Sequence, residues 1–555
     1  MQTAINHIAA ACAAAGIKQA IICPGSRNAP LTMAFVRHPE IECYSVVDER
    51  SAAFIALGMA QQQQFPVALV CTSGSAVVNF YPAVVEAFYQ RIPLLVITAD
   101  RPPELIDQWD GQTMHQNGVF GKHIKAEYAL HDEYSLPEIF SQTTLKAFDD
   151  SISGLQGPVH INVPLREPLY SAIYDEFEYP VIEHKPSHPH FVSQGVEALA
   201  AAFPSAQKIL IFNGAGKRDA ELNTVLKAIA NRAVILSDVV SNRHSAGNVQ
   251  YWDFLLSKKE EAIVNELKPD ILITTGTSTV SKNLKLFLRK NEPQHHFHIS
   301  LTGEIADPFQ TQPQLVQGNI VQVLGSLNWE GKETDYWQQW NIWDKRIENL
   351  NTSYFAQAPF CEFSAVKNIL SHLPQQSQLQ LANSMSVRWA NLLGVKKELA
   401  AVHSNRGVSG IDGCTSTAVG AAFASPQEIV TLITGEVAFF YDSNALWNKF
   451  APSNLRIIVL NNSGGGIFRL IDGPGQMPEL AEFLETQHTR NARLLCEDMG
   501  VEYYKAENFE QLEAELKNLY LPANKPKVLE VFTNAETNTK VFKEYKDLIH
   551  GLEKI

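Results

Sequence analysis

The stretch GEVAFFYDSNALWNKFAPSNLRIIVLNN, residues 435–462, has the residue types and spacing to hold a diphosphate through a divalent metal. An apolar run, Ile429 to Thr434, ends at Gly435-Glu436. A second, Leu455 to Leu460, ends at Asn461-Asn462 and continues as Ser463-Gly464-Gly465-Gly466. As neighbouring parallel strands these runs would bring one carboxylate (Glu436), one amide oxygen (Asn462) and one loop carbonyl (Gly464) to the same sheet edge. Such hard oxygen donors suit Mg²⁺, which takes few protein ligands and completes its shell with phosphate oxygens and water. Glycines at 435, 464 and 465 let backbone N–H groups come close to phosphate. An ordinary βαβ unit with common turn residues has the same outline, so the segment needs support from the rest of the chain.

The elements that must position these groups follow from the apolar pattern. Short apolar runs alternate with helical periodicity throughout, which predicts an α/β protein built of mostly parallel sheets flanked by helices. A length of 555 residues, at roughly 150 per domain, implies three or four domains. The pattern divides into 1–180, 190–345 and 360–555, with a Pro- and His-rich linker from Tyr179 to Ser193. In the first part, strands expected at 20–23, 43–47, 67–71 and 94–98 end in turn residues or charges, including Pro24-Gly25-Ser26-Arg27, Asp48-Glu49-Arg50, Thr72-Ser73-Gly74 and Asp100-Arg101. Ligands in such sheets sit beyond the carboxyl ends of the strands. Gly214-Ala215-Gly216 reads as an ordinary turn after a strand. The first and last parts share the same βα grammar.

Composition removes whole classes. A net charge of -14 argues against a general nucleic-acid surface. Seven scattered cysteines without a CxxC pair indicate neither a zinc site nor a disulfide framework, and fit a reducing cytoplasm. The uncharged stretch from Phe65 to Val85 is interrupted by Thr72-Ser73-Gly74-Ser75, Asn79 and Pro82, which predicts strand, turn and helix rather than a membrane span. The alanine-rich N-terminus lacks a basic leader region and reads as a core helix.

Several phrases are long and unusual enough to be specific: CPGSRNAPLTMAF, DERSAAFIALGMA, TSGSAVVNFYPAVVEA and ITADRPPELID in the first domain, NSMSVR and SNRGVSGIDGCTSTAVGAA in the last. With the 435–462 segment, which resembles the thiamine-diphosphate signature, they resemble the 2-succinyl-5-enolpyruvyl-6-hydroxy-3-cyclohexene-1-carboxylate synthase family of menaquinone biosynthesis. The resemblance covers the first and last domains well and the middle one thinly. It implies thiamine diphosphate with Mg²⁺ or Mn²⁺, decarboxylation of 2-oxoglutarate, and 1,4-addition of the succinyl unit to isochorismate. It also implies a cytoplasmic homodimer or homotetramer, with the site between first and last domains of different chains.

By the same resemblance Glu49 is the catalytic glutamate that holds the pyrimidine ring and selects its imino tautomer. Taken alone, Glu49 reads first as a helix N-terminal charge favoured by the macrodipole, and the 435–462 segment reverses that preference. Ser26, Arg27, Arg101, Gln112, Ser384, Arg388 and Arg406 match substrate-contacting positions, and Lys282 joins them from the middle domain. Ser73, Gly74, Ile411, Gly435, Gly464, Gly465, Ile467 and Phe468 match the cofactor cleft, and Glu436, Asn462 and the Gly464 carbonyl match the metal ligands. Both substrates are dicarboxylates. Guanidinium groups bind carboxylates bidentately and stay charged, so an arginine set makes physical sense in an acidic protein.

Two departures stand out. The family's usual aspartate is Glu436 here, and the added methylene carries the carboxylate roughly 1.5 Å outward, one C–C bond. His115 and Asn283 stand where arginine is expected. Three alternatives stay open: an acetolactate-synthase-like carboligase, a decarboxylase, and a catalytically silent cofactor-binding homologue.

Overall fold

The computed structural model describes residues 2–130, 136–170, 173, 176–185, 193–243, 249–396, 398–471 and 473–553. Part of the expected linker, 186–192, lies outside them. Three wholly parallel sheets organise the chain. The first contains β1 (Gln19–Ile22), β2 (Glu42–Ser45), β3 (Val67–Cys71), β4 (Leu94–Asp100), β5 (Glu127–Ala129) and β6 (Val159–Pro164), in the order β2-β1-β3-β4-β6-β5. The second contains β7 (Ile209–Asn213), β8 (Val234–Ser237), β9 (Ile271–Thr275), β10 (His295–Ser300) and β11 (Gln314–Gln317), in the order β11-β10-β9-β7-β8. The third contains β12 (Gln378–Leu381), β13 (Ala401–Ser404), β14 (Val430–Gly435), β15 (Leu455–Asn461), β16 (Glu502–Ala506) and β17 (Lys527–Phe532), in the order β13-β12-β14-β15-β17-β16.

The first and third sheets therefore repeat one winding, strand for strand. In each, the second strand leads to a long helix, Glu49–Gln63 in the first domain and Cys414–Ala424 in the last. These two helices pack on each other and carry almost no charge along their buried lengths, so both can be covered on every side. One hydrophobic core runs between the outer domains, with Tyr44, Phe54 and Leu57 from the first domain and Val419, Leu432 and Phe439 from the last. A second core joins the middle and last domains through Trp252, Trp340, Trp343, Phe363, Trp389 and Tyr545. Trp340 and Trp343 lie on the helix Asp335–Phe355, which is how the Trp-rich segment enters the last domain.

Turn residues of the two outer domains interlock in a reciprocal way. Asp48, the N-cap of the Glu49 helix, accepts a hydrogen bond from Asn444 Nδ2 of the last domain at 2.8 Å. In the converse contact, Glu86 on the helix Tyr81–Gln90 accepts from the backbone N–H groups of Gly407, Val408 and Ser409, at 2.5, 2.8 and 3.3 Å. Among the described residues no helix is long and apolar enough to cross a membrane.

Candidate active site

The segment 435–462 folds as its pattern requires. β14 and β15 are adjacent and parallel, with Gly435 opposite Leu460, so Glu436 and Asn462 emerge side by side. Glu436 opens the short helix Glu436–Tyr441 and is only 2 % exposed. The Gly464 N–H donates to its Oε1 at 2.6 Å. Burial pushes the Glu436 carboxyl up to about 8, and the neighbouring Glu362 charge adds to the shift against hydrogen bonds that oppose it. Asn462 donates from Nδ2 to Glu362 Oε2 at 2.8 Å, while its Oδ1 is buried with no hydrogen-bond partner. The Gly464 carbonyl accepts from Gly466 N–H at 3.0 Å and keeps a second lone pair.

This donor set fits a hard divalent cation. A buried carboxylate, an orphaned amide oxygen and a loop carbonyl lie at adjacent strand ends, and a Cβ on Gly435 would meet no atom within 4 Å. The longer side chain of Glu436 is accommodated by a direct bond to the loop it faces. Gly465 and Gly466 follow, then Ile467 and Phe468, both half-buried, opening the helix Ile467–Leu470. His488 Nε2 lies 3.8 Å from Glu436 Oε1. Neither Glu362 nor His488 was expected from sequence. They are distant along the chain, and only the packing of their segments against this loop signals them.

Glu49 opens its helix half-buried, and its Oε2 accepts from Asn79 Nδ2 at 3.4 Å. Nearby, Ser73 is buried with its Oγ unpartnered. Gly74 has φ +81°, and a Cβ there would come within 3.3 Å of the Gln112 Cα, so the glycine lets the Gln112 segment lie close. Gln112 itself is exposed, and the Gly74 N–H donates to the buried Gln116 at 2.9 Å. Ser26 Oγ lies 3.0 Å from the Tyr170 hydroxyl. Arg27 is buried, donates to the Leu165 carbonyl at 2.9 Å, and is pulled below its usual range by burial and then by the charge of Arg101. Arg101 pairs loosely with Asp110 at 3.5 Å. These partners of Glu49, Arg27 and Arg101 all belong to the first domain.

A second cationic group forms where the last domain meets the middle one. Ser384 caps the helix Met385–Leu393 with φ +71° and ψ -126°, a region that strongly favours glycine. Arg388, one turn along that helix, donates back to the Ser384 carbonyl. Arg406 Nη1 donates to Asn383 Oδ1 at 2.8 Å. Burial lowers both guanidinium groups, and the Arg406 charge lowers Arg388 further. Lys285, half-buried on the helix Lys282–Lys290, is lowered by burial and then by Arg406, with Arg388 also contributing. Lys282 is exposed at the start of that helix. Lys285 therefore joins this group, while Lys282, the residue expected there, lies exposed at the helix start. The i, i+3 spacing places both on one helical side, but sequence alone gives no sign of which is turned inward.

Asp238 backs this group, fully buried and pushed up to about 7, chiefly by burial. Asp253 accepts from Ser281, Asn283 and Asn391, which gives Asn283 a structural partner. His115 pairs with Asp107 at 2.9 Å on the surface. Ile411 is half-buried in the loop between Arg406 and the Cys414 helix.

Three α/β domains, a carboxylate after the second strand of the first and a metal-type oxygen set after the third and fourth strands of the last define a thiamine-diphosphate enzyme. Family comparison agrees. Residues 2–123 match the thiamine pyrophosphate enzyme N-terminal TPP binding domain, 208–381 the middle domain and 384–531 the C-terminal TPP binding domain. The chain is 43% identical over 545 residues to a 2-succinyl-5-enolpyruvyl-6-hydroxy-3-cyclohexene-1-carboxylate synthase of Cytophaga hutchinsonii, covering 96% of each. It is 38% identical to the protein of the same name from Christiangramia forsetii, covering 97% of each, and 38% identical to that of Desulfotalea psychrophila, covering 96% of this chain and 98% of the relative. The chain belongs to the 2-succinyl-5-enolpyruvyl-6-hydroxy-3-cyclohexene-1-carboxylate synthase family, and is a thiamine-diphosphate-dependent, carbon–carbon bond-forming transferase of menaquinone biosynthesis.

Proposed function

We propose that this enzyme decarboxylates 2-oxoglutarate and joins the succinyl unit to isochorismate by 1,4-addition. The observation that carries the reading is the convergence of Arg388, Arg406 and Lys285. None of the three is in a salt bridge with a carboxylate among the described residues, and each is partly buried. Desolvated cations without a paired carboxylate cost free energy in the empty protein, and a dicarboxylate substrate offsets that cost on binding. A pyruvate-specific carboligase would have little use for them.

In this reading Glu436, Asn462 and the Gly464 carbonyl hold Mg²⁺ or Mn²⁺, with Gly435 and Gly465 leaving space for the diphosphate. Thiamine diphosphate, when bound, supplies the carbon nucleophile and the electron sink for decarboxylation. The protein's part is positioning. Glu49 would hold a proton against the pyrimidine ring, and Ile411 would support the cofactor. Ser73 and Gly74 line the first-domain wall, and Ile467 with Phe468 keeps water from the reacting carbon. Arg388, Arg406 and Ser384 take substrate carboxylates from one side, with Lys285 rather than Lys282 as the middle-domain cation. Ser26, Arg27, Arg101 and Gln112 take them from the other. As the family resemblance implies, we assign the complete site to two chains of a cytoplasmic homodimer or homotetramer.

The deciding experiment supplies the purified protein with thiamine diphosphate, Mg²⁺, 2-oxoglutarate and isochorismate. Isochorismate loss is followed by absorbance and the product is identified by mass. A product equal to isochorismate plus a four-carbon succinyl unit, formed only with cofactor and metal, is expected. No product and no carbon dioxide from 2-oxoglutarate, with either Mg²⁺ or Mn²⁺, would overturn the proposal.

A further inference from the structure

The two asparagines at the end of β15 are treated differently by their surroundings. Asn461 donates from Nδ2 to the buried Glu530 at 2.7 Å, and its Oδ1 accepts from Ser463 N–H at 3.0 Å. Asn462 also donates from Nδ2 to a buried carboxylate, Glu362, yet its Oδ1 is left without a donor. One amide is fully satisfied and structural. The other is half-satisfied, with its oxygen reserved.

Glu362 is the first residue of the helix Glu362–His372 and is 5 % exposed. Its Oε1 accepts from Trp389 Nε1 at 2.7 Å and its Oε2 from Asn462 Nδ2. Among the described residues it has no salt bridge to a cation. A buried carboxylate is costly without such a partner, and two hydrogen bonds and a helix N-terminus only partly offset the cost. Serving as acceptor for Trp389 does not require a charge, because a glutamine oxygen would do the same work. What a carboxylate provides, and an amide does not, is a side chain that only accepts at both oxygens.

An asparagine side chain can present either its oxygen or its NH₂ to a given neighbour. A cation needs the oxygen. Nothing bonded to Asn462 Oδ1 selects that orientation, so the selection rests on Nδ2. We infer that Glu362 is a positioning residue that fixes the amide of Asn462 with its oxygen toward the metal, through an acceptor-only contact behind it. The inference rests on the proposed metal role of Asn462 and deepens it. It assigns a third segment, far from both strand ends in sequence, to the affinity of the metal site.

The test is metal binding, read apart from turnover. Mn²⁺ is titrated into the protein with thiamine diphosphate present, and free Mn²⁺ is read by electron paramagnetic resonance. In Glu362→Gln the Trp389 N–H keeps the glutamine oxygen, which turns the glutamine NH₂ toward Asn462 and flips its amide. Affinity for Mn²⁺ is expected to fall roughly 10- to 100-fold, as for other residues that orient metal ligands, with unchanged melting of the metal-free protein. Adding Asn462→Asp offers an acceptor to that glutamine NH₂ and an oxygen to the metal, so the double variant is expected to regain most of the lost affinity. Equal Mn²⁺ affinity in Glu362→Gln and parent would overturn the positioning role and leave the metal site standing. So would a double variant no tighter than the single one. Should Glu362→Gln fail to fold, the double variant decides alone: near-parental binding supports the role and weak binding overturns it. A parent that takes up no Mn²⁺ with thiamine diphosphate would remove the metal-site reading itself, and this inference with it.

Discussion

Gly58 and Gly420 face each other's helices in a matched pair. A Cβ on Gly58 would lie 2.0 Å from the Thr417 carbonyl oxygen, and one on Gly420 would lie 2.0 Å from that of Ile55. Each glycine meets the residue three positions before the other. The crossing therefore brings backbone to backbone, midway along the helices that begin near Glu49 and Ile411.

Either glycine replaced by alanine must push the helices apart. Overpacking of a tight core costs about 1–3 kcal/mol, and this contact is between backbones that cannot step aside. Gly58→Ala and Gly420→Ala are expected to lower the melting temperature by several degrees and to weaken thiamine diphosphate binding. Unchanged melting in both would show that the crossing has slack.

Glu49→Gln is expected to keep the fold and the cofactor's diphosphate contacts and to lose at least about 100-fold in turnover, the lower range for a general acid–base group. Isothermal calorimetry with the cofactor, beside a kcat measurement, separates the two. Near-normal turnover would remove Glu49 from the catalytic role.

Arg406→Ala and Lys285→Ala are expected to raise the KM for the dicarboxylate substrate by more than about tenfold, the loss of roughly 1.4 kcal/mol of binding, with cofactor affinity little changed. Lys282→Ala is expected to leave both close to parental. Should Lys282 prove the sensitive position and Lys285 the silent one, the inward side of that helix has been misassigned. Equal losses of substrate and cofactor binding in Arg406→Ala would mark that arginine as structural.

Asp238 predicts a stability dependence on pH. Its folded-state pKa is raised, to about 7 from 3.8, so the folded protein keeps a proton that the unfolded chain has lost across that window. Stability therefore falls as pH rises from near 4 through 7. An asparagine can still accept the Val280 N–H that Asp238 takes at 2.6 Å. Asp238→Asn is expected to melt higher than the parent at pH 8 and level with it near pH 4. A difference independent of pH would show that Asp238 is ionised throughout.

The interior strands of the outer sheets were legible because β1, β3, β4, β14 and β15 are largely apolar runs that suit a covered sheet, and β12 kept its leucines beside Ala382. The strands the sequence hid are β5, β10, β11 and β16. Three of them lie at sheet edges, where polar side chains reach solvent. In β10 the residues His296 and His298 look unlike core, yet both bond to Thr274, and His296 also meets Thr311, which satisfies both nitrogens of the buried His296 ring. The strand-end groups Glu436, Asn462 and Glu49 were readable because strand ends are local features. Glu362, Lys285 and Glu86 were not: Glu362 meets Trp389 and Asn462 from distant segments of its own domain, and Lys285 and Glu86 take their roles from what another domain places beside them.

The repeated winding of the outer sheets has an architectural consequence. The chain holds two frames cut to one plan, and each has specialised at a different strand end. The first frame bears an acid after its second strand, where the last frame bears the arginine loop. The last frame bears the proposed oxygen ligands after its third and fourth strands, where the first frame bears Ser73-Gly74 and Asp100-Arg101. Division of labour between duplicate halves separates scaffold from chemistry. In the proposed site a loop could be rewritten at one frame while the other frame, from the partner chain, went on supplying the opposite wall, so that the choice of substrate could drift without the cofactor being let go.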